Sequence, residues 1–286
     1  MKCAFVADER GKYPTRDLCT GVGIARSTFY AWRKRPPSHR ATLDAVLLKE
    51  IERLYQEAGA TYGSPRLHDD LTELGFRIGR KRVERLMRLR RLRAKQFRRR
   101  RVPASRKASA LAPNLVRRQF TVERLNSVWV GDITELWTRE GKLYVAAVMD
   151  LCSRRIVGWT TSARPKRTLV IDALRNALVE RLPDAGLIAH SDQGSQYGSI
   201  DYCRLLKRHG IRPSMSNQGT PADNAVVESF FSTLKRERTS WKRYETREEA
   251  RKDLFDYIEV FYNRRRRHSH IGRISPAEFE RRMKDS

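Results

Sequence analysis

The sequence lacks the features that mark secreted, membrane-spanning and zinc-binding proteins. Its four cysteines, Cys3, Cys19, Cys152 and Cys203, are scattered singly, so no CxxC pair predicts a disulfide framework or a zinc site. No apolar run approaches the roughly 20 residues of a membrane span. Charged residues follow Met1 too soon for a signal peptide. We therefore expect a cytoplasmic, nucleoid-associated protein in a reducing environment.

Acidic residues are also scarce. The chain has 33 Asp and Glu against 60 Lys and Arg, which gives a net charge of +27. Such an excess predicts a polyanionic partner, and nucleic acid is the first candidate. A ribosomal or nucleoid protein would share this charge, so charge alone does not identify an enzyme. The length of 286 residues and the hydrophobic content of 40% allow about two domains with cores of their own.

Residues 1–38 predict a small unit of the helix-turn-helix type. Thr15 and Ser27 are candidate N-caps of two short helices, Gly21-Val22-Gly23 is the turn between them, and Pro36-Pro37 ends the second helix. Arg26 and Ser27, at the start of the second helix, are then candidate DNA contacts. A plain helical hairpin is the alternative.

Residues 39–92 predict a second helical unit that binds DNA. Its first helix has one apolar face, Ser64-Pro65 begins the second, and the third turns Val83, Leu86 and Met87 inward. The outer face of the third helix is cationic, which suits a major groove or a phosphate track. That face consists of Arg80, Lys81, Arg82, Arg85 and Arg88. A solvated charged surface is the alternative.

The chain changes character after residue 92. Residues 93–118 form a basic linker with the run Arg98-Arg99-Arg100-Arg101, and blocks of like charge stay unstructured until they meet an anion. From residue 119 strands and helices alternate. We expect an α/β domain over residues 119–240, followed by a basic helical segment over residues 241–286.

The α/β domain predicts a mixed five-stranded sheet with flanking helices. Three strands joined by short turns come first, and two further strands follow, each preceded by a helix. The expected strands span residues 129–136, 143–150, 155–161, 187–192 and 211–215. This order is that of the ribonuclease-H-like fold. Pairing of the first strand with the fourth would bring Asp132 and Asp192 together at one end of the sheet.

Three carboxylates predict a site for hard cations. Asp132 lies inside an apolar strand, where an acid is costly unless it is paired or binds a metal. Asp192 ends a strand, and an Asx turn is its alternative role. Glu228 lies at the edge of an apolar helix face with Lys235 two turns away, which is typical of a metal ligand beside a phosphate-binding lysine. A solvated surface acid is its alternative. Such carboxylates hold Mg²⁺ together with phosphate oxygens.

A fourth acid, Asp150, also ends a predicted strand. We expect it to cap the strand or to support the metal ligands. Direct chemistry is the less favoured role.

The residues that flank the three acids form specific sequence motifs. Asp132, Asp192 and Glu228 are separated by 59 and 35 residues. Their flanks read Val130-Gly131-Asp132-Ile133-Thr134, His190-Ser191-Asp192-Gln193-Gly194-Ser195-Gln196-Tyr197 and Asp223-Asn224-Ala225-Val226-Val227-Glu228-Ser229-Phe230-Phe231. On these motifs, and over nearly its whole length, the chain resembles DDE transposases of the insertion-sequence-three family, specifically their second-frame catalytic protein. The core also resembles that of retroviral integrases, although their His-His-Cys-Cys zinc module is missing.

The resemblance implies a catalytic site and its partners. It implies that Asp132, Asp192 and Glu228 hold two Mg²⁺ or Mn²⁺ ions for cleavage at element ends and transfer of the freed 3′-hydroxyl. Two element ends must be held together, so the resemblance also implies a homo-oligomer on DNA. The double-stranded DNA partners would be the terminal inverted repeats of the element and the target DNA. It also implies an upstream-frame protein or fusion as a partner. A nuclease that only hydrolyses and a non-catalytic DNA-binding regulator are the alternatives.

Several polar side chains are expected to contact DNA around this site. Lys235 would neutralise phosphate, and Asn224 and Gln193 would position DNA or a bound water. The basic run near the carboxyl terminus would grip the backbone. It consists of Arg264, Arg265, Arg266, Arg267 and His268.

Overall fold

The computed structural model describes residues 1–95, 112–217 and 221–285. By their internal contacts these residues divide into two compact units, 1–52 and 53–286. Most of the linker expected over residues 93–118, including its arginine run, lies outside the described residues. Within the described part of the chain, no helix is long and apolar enough to cross a membrane.

The first unit is built from short helices. They are α1 (Lys2–Glu9), α2 (Thr15–Gly21), α3 (Arg26–Lys34) and the start of α4 (His39–Glu57). Val6, Cys19 and Phe29 form its small apolar core. The sequence predicted α2 and α3 but not α1. Neither Thr15 nor Ser27 caps a helix, because α2 begins after Pro14 and α3 after Ala25 without a side-chain cap.

The second unit begins with a helical part. Helix α5 (Ser64–Glu73) has Pro65 in its first turn, where a missing N–H does no harm, and it buries Leu67 and Leu71. Helix α6 (Arg80–Leu89) buries Val83, Leu86 and Met87, which confirms the predicted inner face. Helices α5 and α6 pack against each other.

A mixed five-stranded sheet forms the centre of the second unit. Strands β1 (Val128–Thr138), β2 (Gly141–Asp150) and β3 (Ile156–Ser162) are antiparallel neighbours. Strands β4 (Ile188–Ser191) and β5 (Arg212–Met215) run parallel to β1 on its other side, in the order β3-β2-β1-β4-β5. The predicted ribonuclease-H-like sheet is confirmed, including the pairing of the first strand with the fourth.

Helices cover both faces of the sheet. Successive strand residues point to opposite faces, so Val145 and Ala147 face one core and Ala146 and Val148 face the other. The second core is covered by α7 (Arg167–Arg181) and α8 (Ile200–Arg208). Helix α7 lies close to β3: a Cβ at Gly158 would come within 2.4 Å of the Ala173 carbonyl oxygen.

The first core is covered by the carboxyl-terminal helices. Helix α9 (Ala225–Glu237) follows a 3-10 turn (Pro221–Asn224), and α10 (Arg247–Phe255) continues into a π-helical stretch (Asp256–Tyr262). Phe230, Leu254, Tyr257 and Tyr262 lie together in this core. The segment after residue 240 therefore packs into the same core as α9, and it ends in α11 (Pro276–Lys284).

Candidate functional site

The first two acids lie side by side where β4 ends. The parallel register of β1 and β4 pairs Gly131 with Ser191, and the next residues are Asp132 and Asp192. Both are half-buried, and both line one open cavity of about 290 Å³. The sheet therefore brings together two of the three predicted acids, as the expected strand pairing required.

Main-chain donors orient both carboxylates. Oδ1 of Asp132 accepts a hydrogen bond from the Ile133 N–H at 2.8 Å, and Oδ1 of Asp192 accepts one from the Gly194 N–H at 2.9 Å. The second bond closes an Asx turn. A Cβ at Gly194 would lie 2.9 Å from Oδ1 of Asp192, so a larger residue there would displace this carboxylate oxygen. The strand-end turn and the cavity-lining position of Asp192 thus coexist.

Tyr197 also lines this cavity, and no role was predicted for it from the sequence. Its side chain is buried, and its hydroxyl would lie 3.4 Å from a Cβ at Gly131. Burial raises the pKa of Tyr197, and the negative charge of Asp132, followed by smaller effects that include Asp192, raises it further. The phenol therefore lies within range of both carboxylate charges.

The third acid stands on a neighbouring helix. Glu228 is half-buried in the first turn of α9, whose buried residues include Val227, Phe231 and Leu234. It is not among the residues that line the cavity of the two aspartates. Among the described residues, no group of three His, Cys, Asp or Glu side chains is arranged to hold a metal ion. The structure thus brings Asp132 and Asp192 to one cavity, whereas Glu228 lies on α9 and is not among the residues that line it.

A buried polar cluster fixes the start of α9. Asp223 accepts hydrogen bonds from Arg118 Nε and Asn114 Nδ2, both at 2.9 Å. Burial alone raises the pKa of Asp223, but the Arg118 hydrogen bond and charge and the Asn217 N–H outweigh it and leave the pKa below its ordinary value. The Asp223 carbonyl lies 3.1 Å from Nε2 of His190, and burial lowers the pKa of that imidazole.

Asn224 and Gln193 hold the backbone and do not face solvent. Nδ2 of Asn224 donates to the Gly131 carbonyl at 3.2 Å, which ties α9 to the residue before Asp132. Nε2 of Gln193 donates to the Ser216 carbonyl at 2.9 Å. The two side chains are only 3% and 6% exposed, which leaves little surface for direct DNA contact, and that contact stays a prediction. Their side-chain oxygens are buried and find no partner among the described residues, so the bound-water role stays a prediction.

The carboxyl-terminal arginine run is divided between two roles. Arg266 is buried and makes two hydrogen bonds to Glu237, and Arg267 pairs with Asp70 and Glu73. Arg266 is therefore held inside the protein and Arg267 is half-buried in its ion pairs, and DNA contact by these two residues stays a prediction. Arg264 and Arg265 are exposed, and their DNA contact stays a prediction.

His268 lies within the same run. It is half-buried, and burial, followed by the charges of Arg266 and Arg66, lowers its pKa to about 2. A neutral, enclosed imidazole does not suit the backbone grip that the sequence predicted for it.

The other expected DNA contacts lie on accessible helix faces. On α6 the residues Arg80, Lys81, Arg85 and Arg88 are exposed and Arg82 is half-buried. Arg26 and Ser27 are exposed at the start of α3, where Tyr30 and Trp32 are also exposed. Lys235 is half-buried on α9. Accessibility is compatible with DNA binding at all of these positions, and the contacts themselves stay predictions.

Asp150 has the capping role that the sequence favoured. It is fully buried, and its carboxylate accepts hydrogen bonds from the N–H groups of Asn126, Cys152 and Ser153 at 2.7, 2.9 and 3.1 Å. Burial raises the pKa of Asp150, while these donors lower it in part. Asp150 thus closes the turn after β2.

Comparison with known proteins places this fold in a family. The sequence matches the Integrase core domain over residues 122–221, an Integrase core domain again over residues 209–276, and the HTH-like domain over residues 42–101. The solved catalytic core domain of HTLV-2 integrase in complex with magnesium overlaps with a TM-score of 0.41 at 16% identity, covering 59% of this chain and 97% of that one.

Curated relatives match nearly the whole chain. Transposase InsF for insertion sequence IS3A of Escherichia coli strain K12 is 40% identical over 98% of this chain and 98% of its own. The transposase for insertion sequence element IS904 of Lactococcus lactis is 41% identical over 86% of this chain and 98% of its own. An insertion element IS600 protein of Shigella sonnei is 42% identical over 92% of this chain and 97% of its own. The chain therefore belongs to the insertion-sequence-three family of transposases and carries an integrase catalytic core.

Proposed function

We propose that this transposase cuts DNA at the ends of its element and joins the freed 3′-hydroxyl to a second DNA site, with Asp132, Asp192 and Glu228 as the catalytic carboxylates. The observation that supports this most directly is the adjacency of Asp132 and Asp192 at the point where β4 ends, in one open cavity. An open cavity is what a bulky DNA substrate requires.

The residues present fit a divalent cation. Carboxylate oxygens on a solvent-accessible wall are the ligands that Mg²⁺ and Mn²⁺ prefer, and two of the three proposed ligands already share that wall. We propose two ions, with Glu228 as the third ligand from α9. When bound, the ions would supply Lewis acidity for the nucleophile and compensate charge on the leaving oxygen.

The protein's own residues position the reacting groups. Main-chain N–H bonds fix one oxygen of Asp132 and one of Asp192, so these side chains lose little freedom when they bind. Asn224 ties the start of α9 to Gly131 and would thereby restrain Glu228, one turn further along the helix. The nucleophile is water in the cleavage step and the DNA 3′-hydroxyl in the transfer step, so no covalent protein intermediate is needed.

The basic helix faces would hold the DNA. We propose that α6, with Arg80, Lys81, Arg82, Arg85 and Arg88, and the start of α3, with Arg26 and Ser27, bind element ends. Lys235, Arg264 and Arg265 would then contact phosphates nearer the reacting bond. Two ends must be held at once, so we also propose that the chain forms a homo-oligomer on DNA, with an upstream-frame protein as a further partner.

A strand-transfer experiment tests this proposal. Oligonucleotides carrying the element ends are incubated with the protein and Mg²⁺, and cleaved and joined products are separated on a gel. Asp132→Asn, Asp192→Asn and Glu228→Gln should each lower both products by at least about 100-fold. Loss of a residue that only supports a metal ligand already costs about 10–100-fold, and loss of the ligand itself should cost more. Asp201→Asn, which removes an exposed acid of α8, is the matched control and should change the rate less than twofold.

The products separate the possible functions. Joined product supports the transposase, cleavage without joining supports a hydrolytic nuclease, and a mobility shift alone supports a DNA-binding regulator. Calorimetry with Mn²⁺ measures metal binding and so gives a second readout that does not depend on turnover. Full activity of Glu228→Gln would show that the Glu228 carboxylate is not required for the reaction.

A further inference from the structure

A second cavity lies along α9, and neither Asp132 nor Asp192 is among its lining residues. It measures about 470 Å³ and lies between α9, the end of the π-helical stretch and the loop that follows it. Its wall includes four arginines, Arg66, Arg154, Arg236 and Arg266. None of these side chains has a role in the proposed carboxylate chemistry.

Arg154 is the decisive residue of this cavity. It is only 6% exposed, and its Nη2 donates to the Phe120 carbonyl at 2.7 Å and lies 2.6 Å from Nε2 of His270. Its Nε and Nη1 are buried and find no acceptor among the described residues. A buried guanidinium with two unsatisfied donors is costly, and such a group calls for an anionic acceptor.

The charge around the cavity is not balanced by carboxylates. Glu237 pairs with both Arg66 and Arg266, at 3.4 and 2.7 Å. In the described part of the chain, Arg154 and Arg236 have no carboxylate within ion-pair distance. The cavity therefore has an excess of positive charge, and the first turn of α9, which also lines it, adds the positive end of a helix dipole.

The cavity is also too large and too apolar for a bare anion. Phe120, Phe230, Tyr262 and Met149 contribute to its wall. Aromatic faces beside guanidinium groups are the surroundings in which proteins stack nucleobases. Volumes of this size, within the roughly 300–1,000 Å³ of small-ligand sites, accommodate a nucleotide.

We propose that this cavity binds one nucleotide through its phosphate, with Arg154 and Arg236 on the phosphate and the aromatic wall on the base. The phosphate has two possible sources, the 5′ end of a DNA strand or a free nucleotide. Only the strand-end source rests on the proposed function. The site itself does not require the carboxylates, a divalent ion or strand transfer.

Calorimetry on the full chain at constant ionic strength, without divalent ions, tests the proposal. The probes are deoxyadenosine 5′-monophosphate, deoxyadenosine, inorganic phosphate, and one hexanucleotide with and without a 5′-phosphate. We expect the monophosphate to bind more tightly than deoxyadenosine or inorganic phosphate, and the 5′-phosphate to strengthen hexanucleotide binding. Tighter binding of the phosphorylated hexanucleotide than of the monophosphate assigns the strand end, and the reverse order assigns the free nucleotide.

Three variants make the test specific to this cavity. Arg236→Gln removes an exposed cavity arginine and should weaken binding about tenfold, the effect of losing a hydrogen bond to a charged group. Arg154→Lys keeps the charge but loses the Nε and Nη1 donors and should weaken binding similarly, with circular dichroism as the check on folding. Arg208→Gln removes the same charge from exposed α8 and should change binding less than twofold.

Three results would overturn the proposal. They are equal weakening by Arg208→Gln, binding of deoxyadenosine or inorganic phosphate as tight as that of the monophosphate, and no binding by any probe at millimolar concentration. Strand transfer can succeed or fail independently of all three, so failure of this site and failure of the proposed function remain distinguishable.

Discussion

Removal of the Glu237 carboxylate should destabilise the second unit strongly. Nε and Nη2 of Arg266 donate to its two oxygens at 2.8 and 2.7 Å, and the Tyr257 hydroxyl donates at 2.9 Å. Glu237 and Arg266 are 7% and 5% exposed. Glu237→Ala therefore leaves a buried guanidinium without its partner, which costs about 3–5 kcal/mol. We expect the free energy of unfolding to fall by about 4 kcal/mol.

Urea denaturation followed by circular dichroism measures this loss. The matched control is Asp172→Ala, which breaks the exposed pair between Arg175 and Asp172 at 3.2 Å. Exposed pairs contribute little, so the control should lose less than about 0.5 kcal/mol. A loss for Glu237→Ala that is no larger than that of the control would refute the reasoning, because Arg266 would then have found another way to be solvated.

The same pair predicts a pH dependence. Burial alone raises the pKa of Glu237, but the hydrogen bonds and charge of Arg266, with the charge of Arg66, outweigh it and leave the pKa below its ordinary value of 4.5. A carboxyl whose pKa is lower in the folded state stabilises fully above its ordinary pKa, and this stabilisation is lost as pH falls through the folded value. The difference between the wild type and Glu237→Gln should thus be constant near neutral pH and shrink below about pH 4.5. A difference that grows on acidification would contradict the assigned direction.

Two further substitutions test packing and capping by the same urea titration. Gly158→Ala would place a Cβ 2.4 Å from the Ala173 carbonyl oxygen and should cost about 3 kcal/mol, whereas Gly11→Ala, where nothing lies within 4 Å, should cost far less. Equal losses would argue against the close approach of α7 to β3. Asp150→Ala leaves three main-chain N–H donors without their acceptor and should lower the free energy of unfolding by at least about 3 kcal/mol. A stable but inactive Asp150→Ala would instead indicate a direct role in the chemistry.

The sheet was predictable because its signals are local. The apolar run of β2 and the single face of α6 follow from the spacing of neighbouring residues, and both are as expected. The acids Asp132 and Asp192 stood out because a carboxylate in an apolar strand needs an explanation. Helix α1 was missed because residues 2–9 carry neither a capping signal nor a clear apolar stripe.

The sequence does not predict which arginines are buried and which are exposed, because their burial depends on partners that are distant in the chain. Arg266 and Arg267 lie in one basic run with Arg264 and Arg265, and nothing in that run marks which side chains turn inward. Their acceptors, Glu237 on α9 and Asp70 on α5, are distant in the chain. The burial of Asn224 and Gln193 was not predictable for the same reason, since each bonds to a carbonyl that is distant in the chain.

Helix α9 connects these observations, because it is fixed at both ends, carries Glu228 and lines the arginine-rich cavity. At its start Asn224 bonds to the Gly131 carbonyl, and at its end Glu237 bonds to Arg266. A helix held in this way cannot slide along the sheet without breaking buried polar contacts, so the position of Glu228 relative to Asp132 is set by contacts that lie outside the carboxylate cavity. Loss of transfer activity in an Arg266 variant would therefore report a displaced α9, and only binding measurements on Arg264 and Arg265 variants would report DNA contact.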